Sequence, residues 1–419
     1  MPNASMHIFA KFHPREILQN RSHVAWVLIQ HVLVKSFFAA KFLVAARLLG
    51  PEQFGLVGVA LAALAIVESL SDTGLTQALI QREKLVSAAE AGAVWTLQTA
   101  RGIVLLVVLY LFSRPIGSLF GIAQAAPLIA LAALLPLVRN AVNPGYAVLQ
   151  RDRRFRDLSA SESAVSLMDL VSTIVFLNAG LGAISVLLGS LIADVCRLVL
   201  SWFTFRLPMT VNVAWGAIKG LGKYGQWIWG TSVLAVILNQ FDKIVVARWL
   251  GATQFGMYQT ASRLAQMVVA DVAIALGGFL FPTISTLHHL SPDKAHAYFV
   301  TSLRKIGFVC GALAIASILL GPLVLNLILG PAWQGVGPVL QLQCVSMWFG
   351  ALIAVCVAYL KAIGKPRAVS VATVLQLLTL ALPAYWVINA WGSVGMAGLV
   401  AVSLSVSFSV MYYQTRESH

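Results

Sequence analysis

Lys35, Lys41, Arg101, Lys243 and Arg263 each interrupt a long apolar run, and Glu68, Asp72, Asp242 and Asp271 do so with the opposite charge. An ionised side chain at the centre of a bilayer costs roughly 2.5–3.5 kcal/mol on insertion scales, so it faces a cavity or a partner. Five cations turned toward one cavity would grip an anion, phosphate in particular. Glu68 and Asp72 are four residues apart, which places them on one helix face. Two such carboxylates resist joint ionisation unless a cation sits between them. That chemistry suits a coupling site for H+ or Na+. The plainer alternative is a structural ion pair with Arg101 or Lys35. Asp242 and Lys243 are neighbours and diverge by about 100° on a helix. Lys243, on the face of Asn239, is expected to look into the cavity, with Asp242 bracing an adjacent helix; the plainer alternative is that both are polar glue between helices. Asp169, Asp194 and Arg197 also fall in apolar runs, and Arg197 is expected to snorkel toward the membrane surface.

Such charges have meaning only if the elements carrying them cross a membrane, and composition says that they do. Of 419 residues, 59% are hydrophobic and 11% charged, and the mean hydropathy is +0.84. Soluble domains carry about 25% charged residues. A span needs about 20 apolar residues. Twelve such runs fit, near 24–48, 54–79, 91–112, 124–148, 159–179, 183–205, 225–249, 255–283, 305–328, 335–360, 367–389 and 392–413. Turn chemistry separates several of them, at Gly50-Pro51, Asn178-Ala179-Gly180, Gly330-Pro331, Gly364-Lys365-Pro366 and Trp391-Gly392. The polar, basic start and the long first apolar run read as an uncleaved first span.

The net charge of +14 raises the question of nucleic acid, and its distribution answers it. With the N-terminus inside, 19 of the 29 Lys and Arg fall in cytoplasmic segments, and the opposite loops hold Arg114 alone. The basic balance is therefore membrane orientation, with both termini cytoplasmic and no nucleic-acid partner. The run Arg151 to Arg156 is expected to meet anionic lipids of the inner leaflet, with a phosphorylated substrate as the alternative.

Residues Ala46 to Gly55 and Ala247 to Gly256 are identical at seven of ten positions, with an offset of 201. Both straddle the end of one span and the start of the next. The chain therefore reads as two six-span halves in a parallel repeat. The expected fold is an all-α membrane protein of about twelve transmembrane helices, in two pseudo-symmetric six-helix bundles around a central cavity. The domains are a cytoplasmic segment 1–22, a bundle 23–205, a linker 206–223, a bundle 224–414 and a tail 415–419. Arg47 and Arg248 recur within the repeat. They are expected to cap the last carbonyls of their own helices and to meet lipid phosphates.

Other chemistries find no support. Cys196, Cys310, Cys344 and Cys356 show neither CxxC nor Cys/His spacing, so no metal site or disulfide framework is expected. Gly216 to Tyr224 has the wrong spacing for a phosphate loop. His288, His289 and His296 are read as a solvated cytoplasmic loop. No catalytic residue and no cofactor is expected, apart from a coupling ion.

The repeat, together with Leu70 to Leu75, Ala78 to Gln81, Leu149 to Asp152 running into Phe155-Arg156, and Asp242-Lys243 with Phe255 to Tyr258, resembles the bacterial polysaccharide-transport family. These are the oligosaccharide flippases of the multidrug/oligosaccharidyl-lipid/polysaccharide exporter superfamily. The resemblance runs over nearly the whole chain. It implies a bacterial inner-membrane transporter that moves an undecaprenyl-pyrophosphate-linked oligosaccharide between leaflets for exopolysaccharide or lipopolysaccharide synthesis. Its implied partners are membrane lipids, a polysaccharide polymerase and chain-length machinery, and it marks Asp72, Asp242 and Lys243 as family-typical. The competing readings are an ion-coupled multidrug exporter on the same scaffold, a membrane-embedded polymerase or ligase, and a scaffold subunit of a secretion complex.

Overall fold

The computed structural model describes residues 14–72, 74, 87–152, 154–204, 207, 215–278 and 280–416. Every regular element among them is helical. In chain order they are α1 (Pro14–Leu70), α2 (Ala88–Leu111), α3 (Ser113–Leu119), α4 (Ala126–Ala132), α5 (Leu134–Asn140), α6 (Gly145–Arg151), α7 (Phe155–Asn178) and α8 (Ile184–Phe203). Then come α9 (Trp215–Ala265), α10 (Asp271–Gly277), α11 (Leu280–Leu290), α12 (Pro292–Leu329), α13 (Val336–Ala362), α14 (Pro366–Ala381) and α15 (Ala384–Arg416). A π-helical turn, Gln266–Ala270, joins α9 to α10. Eight helical segments among the described residues are long and apolar enough to cross a membrane. Lipid-facing positions such as Val107, Leu111, Leu319, Leu323 and Leu327 are exposed apolar side chains, as a bilayer solvent permits.

The turn positions read from sequence fall on glycines. Gly50, Gly180, Gly330, Gly364 and Gly392 all have positive φ, a backbone region that costs other residues roughly 1–2 kcal/mol. Gly50 (φ 71, ψ 173) and Gly251 (φ 78, ψ −177) kink α1 and α9 at equivalent points of the repeat. The exchange of Pro51 for Ala252 therefore leaves the two hinges with the same backbone. The linker read at 206–223 is helical from Trp215 onward; residues 208–214, Arg82 and Lys84 lie outside the described residues. The segment carrying the three histidines is also helical and not a loop. His288 and His289 end α11, and His296 lies on α12 with Nδ1 3.3 Å from the Tyr359 hydroxyl.

The chain divides into two compact units. The first comprises 1–45, 63–113 and 127–233; the second comprises 46–62, 114–126 and 234–419. In the first, α7 packs along α8, and α5 packs on α2 and α8. A Cβ on Gly189 would overlap Thr173, so these two helices touch backbone to backbone. In the second, α13 is central and packs against α12 and α15.

Candidate functional site

The fourth apolar run is not one helix. It breaks into α4, α5 and α6, and Pro127, Pro136 and Pro144 are spaced along it. Proline removes an amide donor and clashes with the preceding turn, so carbonyls are freed at the breaks. Inside a membrane such a carbonyl needs a partner. The Ala141 carbonyl accepts from two indoles, Trp95 Nε1 at 3.0 Å and Trp202 Nε1 at 3.1 Å. Those rings meet edge to face at 5.7 Å. Asn143 Oδ1 accepts from the amides of Gly145 and Leu207 at 2.9 and 3.0 Å.

The broken run borders a cavity of about 640 Å³ wholly inside the first unit. Its wall includes Glu68, Asp72, Trp95, Gln98, Arg101, Arg139, Asn140, Tyr146 and Glu162. Three acids and two arginines give this wall no cationic excess. An alternating ladder of charge runs behind it. Glu68 Oε1 is 3.4 Å from Arg139 Nη1, and Arg139 Nε donates to Asp194 Oδ2 at 2.7 Å. Arg197 donates from Nη1 to Asp194 Oδ1 and from Nη2 to Glu162 Oε2, each at 2.9 Å. Glu162 Oε1 lies 2.9 Å from the Tyr146 hydroxyl. The ladder ties α1, α5, α8, α7 and α6 together. Pairing of this kind lets ionised groups persist at membrane depth.

Arg101 lines the cavity and closes the end of α1. Its Nη2 donates to the Glu68 carbonyl at 2.7 Å, and its Nε to Ser71 Oγ at 3.0 Å. Helix α1 stops at Leu70, so Asp72 does not continue the Glu68 face. Asp72 instead accepts from the Gly74 amide at 3.0 Å. Glu68 pairs through its carboxylate with Arg139, while Arg101 takes its backbone oxygen. Lys41 is not on the cavity wall. It is 7% exposed and held by Asp169 Oδ1 at 2.6 Å and Ser190 Oγ at 2.8 Å. Lys35 is exposed on α1. Arg197 does not snorkel; Asp194 and Glu162 hold it.

The remaining sequence-derived positions lie in the second unit. Asp242 is 7% exposed and accepts from the Tyr258 hydroxyl at 2.7 Å, across the α9 kink. Lys243 is half-buried, next in sequence to Asp242, whose carboxylate is engaged by Tyr258. Arg263 donates to Gln266 Oε1 at 2.8 Å, at the start of the π-helical turn that ends at Asp271. π-Turns of this kind are frequent at functional sites. Arg47 and Arg248 do not cap their own helices: Arg47 donates to the Ile328 carbonyl, and Arg248 to those of Ser118 and Leu119. Arg139, Glu162 and Tyr146 were not among the sequence candidates; three prolines in one apolar run mark Arg139 and Tyr146, and no local signal marks Glu162 on α7.

Discontinuous helices around a polar cavity at membrane depth are the build of secondary transporters. The profile of a family described as "Polysaccharide biosynthesis protein" matches residues 44–338. The chain belongs to that family. It is 25% identical over 349 residues to the lipopolysaccharide biosynthesis protein WzxC of Escherichia coli (strain K12), covering 82% of this chain and 68% of that protein. It is 26% identical over 337 residues to the succinoglycan biosynthesis transport protein ExoT of Rhizobium meliloti (strain 1021), covering 78% and 67%. It is 23% identical over 376 residues to a putative O-antigen transporter of Shigella flexneri, covering 84% and 87%. Among solved structures, the lipid II flippase MurJ in an inward closed conformation aligns over 94% of this chain and 87% of its own, with a TM-score of 0.75 and 13% identity. An inward-facing MATE transporter aligns over 93% and 97%, with a TM-score of 0.70 and 14% identity. The protein is thus a multi-pass membrane transporter of the polysaccharide-export superfamily, related to O-antigen and colanic-acid-type transporters, and not an enzyme.

Proposed function

We propose that this protein translocates an undecaprenyl-pyrophosphate-linked oligosaccharide across the bacterial cytoplasmic membrane for exopolysaccharide or lipopolysaccharide synthesis. The observation that carries the reading is the cavity at the broken fourth run. Its wall combines an indole, amides, carboxylates and guanidinium groups. Sugars are held by this mixture, with an apolar face on the ring of Trp95 and hydroxyls on Gln98, Glu68 and Arg139. The matched relatives act, by their names, in lipopolysaccharide, succinoglycan and O-antigen synthesis or transport. The mechanism is alternating access between two six-span halves of twelve spans, with both termini cytoplasmic. The polymerase and chain-length machinery acts on the product outside.

Lys243 is the group that meets the pyrophosphate, because its ammonium is half-buried and the neighbouring Asp242 carboxylate is already held by the Tyr258 hydroxyl. Lys243→Glu should reduce surface polymer at least tenfold at unchanged protein abundance, a loss of about 1.4 kcal/mol or more in the limiting step. Undiminished polymer would remove Lys243 from the grip. Arg101, on the cavity wall, meets sugar hydroxyls, and Lys35, Lys41 and Arg263 lie off that wall and contribute charge only. H+ or Na+ coupling runs through Glu68, with Asp72, Asp242 and Asp271 as interhelical partners. Glu68→Gln should therefore shift the pH dependence of transport, and an identical profile in the variant would exclude Glu68 from coupling. The acidic surplus on the cavity wall favours a second reading, ion-coupled export of organic cations on the same fold.

A further inference from the structure

The repeated decapeptide makes a reciprocal contact within the second unit. Arg47 Nη1 donates to the Ile328 carbonyl at 2.8 Å, near the end of α12. Arg248, 201 residues later, donates from Nη1 to the Ser118 and Leu119 carbonyls at 3.2 and 3.1 Å, at the end of α3. Each arginine therefore caps a helix from the opposite half of the sequence. The backbones beside them cross with the same reciprocity. A Cβ on Gly55 would overlap the Ala252 carbonyl, and a Cβ on Gly256 would overlap the Pro51 carbonyl. These positions are also repeat equivalents, 51 with 252 and 55 with 256. One further turn along, a Cβ on Gly58 would lie 3.6 Å from Cγ of its own equivalent, Gln259. Trp333, 1% exposed, covers the crossing: its Nε1 donates to the Ala46 carbonyl at 3.2 Å, and its ring meets Phe54 edge to face.

We propose that the decapeptide and its repeat form a reciprocal latch. It holds the α1 kink at Gly50 and the end of α3 to helices of the C-terminal half in this conformation, and it must open for the transport cycle to proceed. The chemistry of the contact is that of a seam built to part. The arginines are exposed, and their acceptors are neutral carbonyls that carry the partial negative charge of a helix C-terminus. Water replaces such bonds readily when they separate. The glycine crossing is backbone against backbone, so its opening strands no large side chain. Contacts within the N-terminal half are of another kind, with Lys41–Asp169, Arg139–Asp194 and Arg197–Glu162 all buried or half-buried ion pairs. Parting any of those would leave a charge uncompensated at membrane depth.

The test is a reversible cross-link. In a chain whose four cysteines are replaced, Gly58→Cys with Gln259→Cys should form a disulfide under mild oxidant, since the geometry is near that of a native bridge. Surface-polymer export should stop in the oxidised state and return on reduction. Complete cross-linking with export maintained would overturn the latch, and so would failure to cross-link. That arm rests on the transport reading. A second arm does not, because it follows a reporter cysteine at Val57, which is 2% exposed, in detergent-solubilised protein. Arg47→Gln and Arg248→Gln should each raise its maleimide labelling rate roughly tenfold, the weight of one charge-assisted hydrogen bond, and the double variant further. A static structural contact would leave the rate unchanged, whatever the substrate proves to be.

Discussion

Asp169→Ala should lower the stability of the protein by about 3–5 kcal/mol, because it leaves the Lys41 ammonium buried without its carboxylate. Ser190 alone accepts one of the three donors that remain. Replacing both charges, Lys41→Met with Asp169→Leu, should recover most of that loss, since exchanging a buried pair for apolar side chains is often neutral. Denaturation of the purified protein in detergent, arranged as a double-mutant cycle, measures both. The same pair separates two roles for Lys41. As a structural tie between α1 and α7, it can be exchanged with its partner and transport survives. A stable double variant that exports nothing would make Lys41 a substrate ligand, as its position in an apolar run first implied.

Arg139→Ala should be the most damaging change at the cavity. This one guanidinium serves Glu68 and Asp194 from a short helix between two breaks. Its removal leaves Asp194, whose side chain is 5% exposed, with Arg197 alone. The guanidinium itself is 37% exposed, so water in the cavity softens the loss to about 2–3 kcal/mol. Transport should fall further than stability. The ladder positions Glu68, Glu162 and Tyr146 on the cavity wall, and a displaced wall would weaken the proposed sugar contact at Glu68 along with that of Arg139 itself. Arg139→Lys should restore stability in part and transport poorly, because a point charge cannot span both carboxylates. Equal loss of transport and stability across the two variants would reduce Arg139 to a structural tie.

The all-helical membrane fold, the repeat and the hinge glycines were legible because each has a local cause. Apolar runs of membrane length and Gly-Pro junctions need no knowledge of neighbours, and the two kinked glycines carry the same signature in both halves. The Glu68–Asp72 pair misled for a local reason too: the spacing is helical, but Arg101 and Ser71 close the helix between them. The ion-pair partners were illegible. Arg47 reaches a carbonyl 281 residues away and Arg248 one 130 residues back, and helix periodicity carries no information about which half supplies it. Arg197 looked like a surface-seeking side chain because Glu162 lies on another helix. Arg139 was hidden differently. Its apolar run passed as a single span by hydropathy, and only the proline spacing marks it as three helices around a cavity.

The central claim is translocation, and sidedness of the lipid-linked oligosaccharide in cells lacking the protein tests it most directly. The account predicts that the intermediate accumulates on the cytoplasmic leaflet and that surface polymer disappears, with both defects reversed by the intact chain. An intermediate that reaches the outer leaflet and remains unpolymerised would contradict it and place the protein after translocation.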